Sequence, residues 1–431
     1  MKWLVQCLST SFCKCKQGFN FQQRYGLVNV KLKWVKDKEL DAVVIREKHL
    51  KAVCNLVSVI SSSLDSKLPI FKLLPHRGQL GLPQDLKLSA FIRRYPNIFV
   101  EHCYFDSAGT RVPSFGLTPE AIDLNCEEGN VLRVNEKDVV VRLCKLLMIT
   151  RERTLSLHSI DHLRWDLGLP YDYRDSLIPN HPDLFCFVKL SSDLVGLKLV
   201  NWDERLAVSQ MQLRYNDHMA FPVKFTRGFG LKRKSMEWLQ EWQRLPYTSP
   251  YVDASHLDPR TDLSEKRNVG VFHELLHLTI GKKMERNNVS NLRKPFGLPQ
   301  KFTKVFERHP GIFYISMKCD TQTVILREAY DRRHLIEKHP LVEIREKFAN
   351  MMNEGFLDRS RGLFRKPVEA DLGKNRLKIV YPVWSEEEEQ EEGSDNNLIS
   401  GYDSDCSAVE ELNCRFSCES ATSFDTVEPS P

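Results

Sequence analysis

The stretch that decides the fold is Gly168-Leu169-Pro170, followed by His181-Pro182-Asp183-Leu184-Phe185 and the run Phe185-Cys186-Phe187-Val188-Lys189-Leu190. Gly168 can take the left-handed conformation that ends a helix, here the amphipathic Ser159-Ile160-Asp161-His162-Leu163-Arg164-Trp165. Pro170 suits the first turn of the next helix, and Pro182 stops it. Phe185 to Leu190, a turn at Ser191 to Asp193 and Leu197-Lys198-Leu199-Val200 then read as a β-hairpin.

The pattern recurs on either side. Gly81-Leu82-Pro83 leads to Tyr95-Pro96-Asn97-Ile98-Phe99, and Gly297-Leu298-Pro299 leads to His309-Pro310-Gly311-Ile312-Phe313. Hairpins follow at Phe99 to Phe105 with Arg111 to Phe115, and at Phe313 to Met317 with Thr323 to Leu326. Further helices precede the second and third copies, at Asp138 to Ile149 and Val271 to Ile280. Helix, helix, turn, helix, hairpin is the order of a winged helix-turn-helix unit. The fold expected is α+β and predominantly helical, with three winged-helix-like helix–helix–hairpin repeats in series. The units cover about residues 50–120, 131–205 and 268–340.

The 431 residues are 42% hydrophobic and 28% charged, enough for a packed body, and no apolar run is long enough to span a membrane. The net charge of +5 hides an asymmetry. Residues 385–431 hold fourteen acids against Arg415, so this tail carries −13 and residues 1–384 carry +18. A body so basic implies a polyanionic partner. The tail is expected to be disordered, because it has too little apolar surface to offset chain entropy. Residues 1–36 contain seven bases and no acid, the composition of an organellar import signal. We read residues 1–30 as a transit peptide and 31–366 as the folded domain. Mitochondria are favoured over chloroplasts, since Ser and Thr are few and the bases are spread out. The twelve cysteines include no CxxC pair and read as reduced thiols.

Bases interleave with apolar residues at Lys31-Leu32-Lys33-Trp34-Val35-Lys36. One long helix is expected next, with Leu40 through Ile60 on its buried side and Arg46, Lys48 and Lys51 on the other. Arg93-Arg94 and Arg332-Arg333 recur in units one and three. Arg227, Lys232, Arg233 and Lys234 precede Trp238 and Trp242, a segment suited to phosphate contact and base stacking, or to packing of the two tryptophans. These fifteen basic and aromatic positions, Trp34 among them and Trp238 and Trp242 apart, are the candidate RNA contacts. His273-Glu274-Leu275-Leu276-His277 matches HExxH, in which two histidines hold zinc beside a glutamate base. No third ligand follows at the extended spacing, where Ile280 and Lys283 stand, so the stretch is read as a core helix without metal. No catalytic residue and no cofactor are expected.

Three stretches carry a resemblance. Trp34-Val35-Lys36-Asp37-Lys38-Glu39-Leu40-Asp41-Ala42-Val43-Val44-Ile45-Arg46-Glu47-Lys48 resembles the opening of the plant organelle RNA recognition domain. So do Leu80-Gly81-Leu82-Pro83 with Arg94-Tyr95-Pro96-Asn97-Ile98-Phe99, and Phe225-Thr226-Arg227-Gly228-Phe229-Gly230-Leu231-Lys232-Arg233-Lys234. The resemblance spans roughly residues 30 to 365. It implies a non-enzymatic organellar protein that binds group II intron RNA and promotes splicing, in a ribonucleoprotein particle with other splicing factors and away from membranes. The rival readings are an organellar DNA-binding protein of winged-helix type and an HExxH zinc metallopeptidase.

Overall fold

A computed structural model of the chain describes residues 32–360, apart from 64, 65, 84, 106, 108, 192, 193, 215–218, 227 and 231, with backbone alone from 356. Lys31, Arg227, the basic leader and the acidic tail lie outside the described residues.

Helix α1 (Lys38–Arg46) starts at Asp37, whose carboxylate accepts from the backbone N–H groups of Glu39 and Leu40. The single long helix expected here is two. His49 takes a left-handed φ of 65° and α2 (Leu50–Ser61) sets off afresh. The break has a packing reason. Leu40 and Val44 of α1 face Tyr314 and Ile325 of the third unit, whereas Leu50, Val53, Leu56 and Val57 of α2 fill the core of the first. One straight helix could not serve both.

After α2 come a three-residue strand β1 (Lys67–Pro69) and the helical turns α3 (Ile70–Leu73) and α4 (Arg77–Leu80). Short helix α5 (Leu88–Ile92) and the hairpin β2 (Phe99–Phe105) and β3 (Arg111–Leu117) follow. Helix α6 (Pro119–Val134) leads to the second unit. This unit comprises α7 (Glu136–Ile149), β4 (Thr154–Ser156), α8 (Leu157–Leu167), α9 (Tyr173–Ser176) and the hairpin β5 (Phe185–Lys189) and β6 (Val195–Leu199). A connecting segment carries α10 (Gln210–Arg214) and α11 (Arg233–Arg244). The third unit has α12 (Asp262–Leu278), β7 (Lys283–Glu285), a 3₁₀ stretch at Arg286–Leu292, α13 (Lys304–Arg308) and the hairpin β8 (Phe313–Ser316) and β9 (Thr323–Leu326). The two-residue strands β10 (Tyr330–Asp331) and β11 (His334–Leu335) pair with each other before α14 (Pro340–Ser360).

The three units share a strand order. Their antiparallel sheets run β1-β3-β2, β4-β6-β5 and β7-β9-β8, each with the second hairpin strand in the middle. The glycine before each Leu-Pro is left-handed, with φ of 64° at Gly81 and 74° at Gly168, which close helices, and 64° at Gly297, which lies in a turn after the 3₁₀ stretch. The helix after each Leu-Pro is four or five residues long, shorter than a run to the next proline. The edge strands β1, β4 and β7 were absent from the sequence reading, because three residues leave no periodic signal.

Two larger cores result. The first unit is closed by Ile344, Phe348, Ala349 and Met352 of α14, while units two and three share one core that also takes Trp238 and Trp242. Helix α12 lies in that shared core and begins at Asp262, nine residues before the expected start. Its polar first half is buried with partners: Lys266 Nζ donates to Gln243 O at 2.7 Å and Leu245 O at 2.6 Å, and Glu265 meets His309 at 2.7 Å. No described helix is long and apolar enough to cross a membrane.

Candidate nucleic-acid interface

The segment before α1 is fastened to the third sheet. Trp34 stacks on Tyr314 at 6.0 Å between ring centroids, and Asp37 N donates to Tyr314 Oη at 3.0 Å. Arg327 reaches the Asp37 carboxylate at 2.8 Å, and Asp41 accepts from Tyr314 Oη and Ser316 Oγ. Trp34 is thereby half-buried and serves packing on one face, while Lys33 and Lys36 remain exposed. Arg333 pairs with Glu39, which draws the turn between β10 and β11 against α1. Glu39, Arg332, Arg333 and His334 line an open hollow of about 420 Å³ together with Asp331. Gly228 lies beside Val35, and the exposed Lys232, Arg233 and Lys234 begin α11 just beyond that loop. Arg233 is paired with Glu237 one turn on, at 2.8 Å.

A second basic group gathers at the junction of α1 and α2. Lys48 and Arg94 flank His49, whose pKa is lowered first by burial and then by these two charges. Arg46 donates to Asn350 Oδ1 at 2.9 Å, and Lys51 is half-buried. Arg93 is held by both oxygens of Glu101, at 2.8 and 2.6 Å, so its charge is locally balanced while exposed Arg94 stands beside it. Helix α1, about 13 Å long at 1.5 Å per residue, runs from the first group to the second. The structure thus brings the terminal segment, the 332–333 turn and the 48–94 junction onto the two ends of one helix.

The sequence reading missed the hairpins as surfaces. Phe105 is 65% exposed and Tyr104 42%, with Phe71 edge-on to Tyr104 at 6.2 Å. Phe105 pairs in register with Arg111, and Lys67 and Lys72 are exposed on the same unit. On the second hairpin Phe187 and Val195 are exposed, and Lys189 sits across from Val195. Met317 is exposed at the turn of the third. The signal was present only in part: Phe185-Cys186-Phe187-Val188 is apolar throughout, and Phe187 shares a strand face with buried Phe185 yet is exposed. Trp238 and Trp242 are the reverse case. Both are buried and pack on His309, with centroids 5.8 and 4.3 Å away, so the packing alternative applies to them.

Residues 35–357, which carry all of this geometry but Lys33 and Trp34, match the plant organelle RNA recognition domain. The chain belongs to that family. Among its relatives, Protein WHAT'S THIS FACTOR 9, mitochondrial, of Arabidopsis thaliana is 37% identical over 349 residues, covering 78% of this chain and 89% of that protein. Protein WHAT'S THIS FACTOR 1, chloroplastic, of Zea mays is 34% identical over 330 residues, 72% of this chain and 65% of that protein. Protein ROOT PRIMORDIUM DEFECTIVE 1 of Arabidopsis thaliana is 30% identical over 341 residues, 74% and 82% of the two chains. No solved structure matches.

Within this organelle RNA recognition domain, the HExxH stretch lies inside the shared core. His273 Nε2 and His277 Nε2 point to Glu328 Oε1, at 3.0 and 2.7 Å. Burial lowers the pKa of His277 to about 4, and the two histidines hold Glu328 well below the usual carboxylate range against the effect of its own burial. Glu274 belongs to a different network: it accepts from Tyr251 Oη at 2.7 Å and Gln210 N at 2.7 Å, and pairs with Lys145 at 2.9 Å. A carboxylate tied to three donors is not available as a general base.

Proposed function

We propose that the chain is an organelle-imported RNA-binding protein that promotes splicing of a group II intron without catalysing the reaction itself. The observation that carries the reading is the family match across residues 35–357, in a chain whose residues 1–384 carry +18. The exposed hairpin aromatics beside bases support it, since single-stranded RNA is held by phosphate neutralisation together with base stacking. Each unit is read as winged-helix-like, in keeping with the common strand order and the helices that precede it. By binding one intron conformation the protein raises that state's population, and the RNA supplies the chemistry. Other splicing factors complete the particle.

The candidate contacts are Lys31, Lys33, Trp34, Lys36, Arg46, Lys48, Lys51, Arg93, Arg94, Arg227, Lys232, Arg233, Lys234, Arg332 and Arg333, to which Tyr104 and Phe105 are now added. Residues 31–366 are proposed as the binding domain, and the acidic segment 385–431 lies outside the described residues. Immunoprecipitation followed by sequencing of bound organellar RNA is expected to enrich one intron-containing transcript; no enrichment over a mock precipitation would overturn the reading. Competition by duplex DNA equal to that by intron RNA would favour the DNA-binding alternative.

Replacing Arg227, Lys232, Arg233 and Lys234 with Ala is expected to weaken RNA binding and flatten its salt dependence. Each lost phosphate contact removes about 0.7 from the log–log slope for single strands. Wild-type affinity and slope in the folded variant would show that these bases only solvate the surface.

Residues 1–30 are proposed as a transit peptide to mitochondria, the destination in the name of the Arabidopsis relative WHAT'S THIS FACTOR 9. A fluorescent fusion of residues 1–40 is expected in mitochondria. Plastid import would refute the choice of organelle, and cytosolic retention the transit peptide itself.

A further inference from the structure

The two imidazoles of the HExxH stretch converge on a carboxylate supplied 51 residues after the second of them, by the turn that follows β9. We propose that His273, His277 and Glu328 form a binding site for a divalent transition metal, zinc above all, which fastens α12 to the end of β9. The proposal concerns the core of the third unit and is independent of RNA binding.

Helix geometry comes first. Residues four apart share a helix face, so His273 and His277 both aim Nε2 at one point. Glu328 follows strand β9, which packs on α12, and reaches that point from the other side. The three donor atoms lie within 4.8 Å of one another. Two imidazoles and a carboxylate are a donor set that zinc takes, with bonds of about 2.0–2.2 Å. A tetrahedral centre with such bonds spaces its ligand atoms about 3.3 Å apart, a few tenths of an ångström wider than the two histidine–carboxylate separations of 3.0 and 2.7 Å. Rotation of the Glu328 side chain supplies the difference.

The hydrogen bonding of the cluster is lopsided without a cation. Glu328 Oε1 is approached by His273 Nε2, His277 Nε2 and, at 3.2 Å, Arg214 Nη1. Glu328 Oε2 is buried with no hydrogen-bond partner among the described residues, and so is His273 Nδ1. Three donors crowd one oxygen while its twin has none, an arrangement that buried polar groups rarely keep. A metal between the imidazoles and the carboxylate takes the histidine lone pairs and draws on both carboxylate oxygens. Arg214 also bonds Glu337, at 3.3 Å, so it keeps a carboxylate partner when Glu328 turns to the metal. Burial already favours neutral His277, the form that ligates.

A cavity of about 130 Å³ opens onto His277 and Glu328, lined also by Arg214, Lys282, Ile336 and Glu337. It gives the ion an entry path and leaves a fourth position for water. The site is structural: Glu274, the base of a peptidase of this signature, is committed to Lys145, Tyr251 and Gln210.

The test uses purified full-length protein, incubated with zinc chloride, dialysed into metal-free buffer and assayed for metal by mass spectrometry. About one zinc per chain is expected in the wild type, and none above background in His277→Ala and Glu328→Gln. The twelve cysteines could hold zinc elsewhere, so Co²⁺ is titrated into the wild type in parallel. Weak visible bands without the intense near-ultraviolet thiolate band are expected for nitrogen and oxygen ligands. Equal zinc in the wild type and both variants overturns the proposal. So does a cobalt spectrum dominated by thiolate, or no cobalt spectrum at all; this arm needs no variant to fold.

Discussion

Replacing Glu274 with Ala is expected to destabilise the protein by about 3–5 kcal/mol, the usual cost of leaving one partner of a buried ion pair uncompensated. Glu274 is fully buried, and Lys145, at 7% exposure, is buried beside it. Without the carboxylate, the Lys145 ammonium keeps, among the described residues, the Val208 carbonyl at 3.0 Å and the Tyr251 ring, while Tyr251 Oη and Gln210 N lose their acceptor. The pair ties α7 of the second unit to α12 of the third, so the loss falls on the shared core. Urea unfolding gives the measurement: the midpoint should fall with the slope unchanged. A Glu274→Gln variant, which keeps an acceptor but no charge, should lose less. A shift worth under about 1 kcal/mol in Glu274→Ala would mean that water reaches Lys145 and that the pair is not sealed.

Truncating Tyr104 and Phe105 together to Ala is expected to weaken binding of single-stranded RNA by one to two orders of magnitude, since base–aromatic stacking contributes roughly 1–3 kcal/mol per base. Both rings are exposed, so the fold should tolerate the change. The salt slope should stay at its wild-type value, because no phosphate contact is removed. That separates stacking from the effect of the Arg227, Lys232, Arg233 and Lys234 substitutions, which should alter the slope. Affinity within twofold of wild type would remove the first hairpin from the interface and leave the basic groups at the ends of α1 as its centre.

Much of the fold was legible because its signals are local. Gly81 and Gly168 end helices in the left-handed conformation, and Gly297 takes it in a turn, a demand that falls on one residue at a time. The strands of all three hairpins are short runs rich in aromatic and β-branched residues set off by turn residues, so they were found within a few residues of their ends. The candidate site was legible only as charge. Lys33, Lys36, Arg332 and Arg333 could be named, but their gathering around the start of α1 depends on Arg333 meeting Glu39 across 294 positions. No local pattern encodes that contact.

The sequence by itself determined the α+β class of the fold, the charge asymmetry between residues 1–384 and 385–431, and the family to which the chain belongs. Only the tertiary structure decided where polar residues are buried. Asp262, Glu265, Lys266 and Asn268 lie before the helix expected from Val271, yet they begin it nine residues earlier inside the shared core. Their desolvation is offset by partners such as His309 and the Gln243 and Leu245 carbonyls, which the fold brings from distant segments. The same holds for His273 and His277: one helical turn of spacing is written in the sequence, but the carboxylate between them arrives only when β9 packs on α12. Periodicity reports which face of an element is apolar, whereas pairing across long separations is fixed by packing and has no local trace.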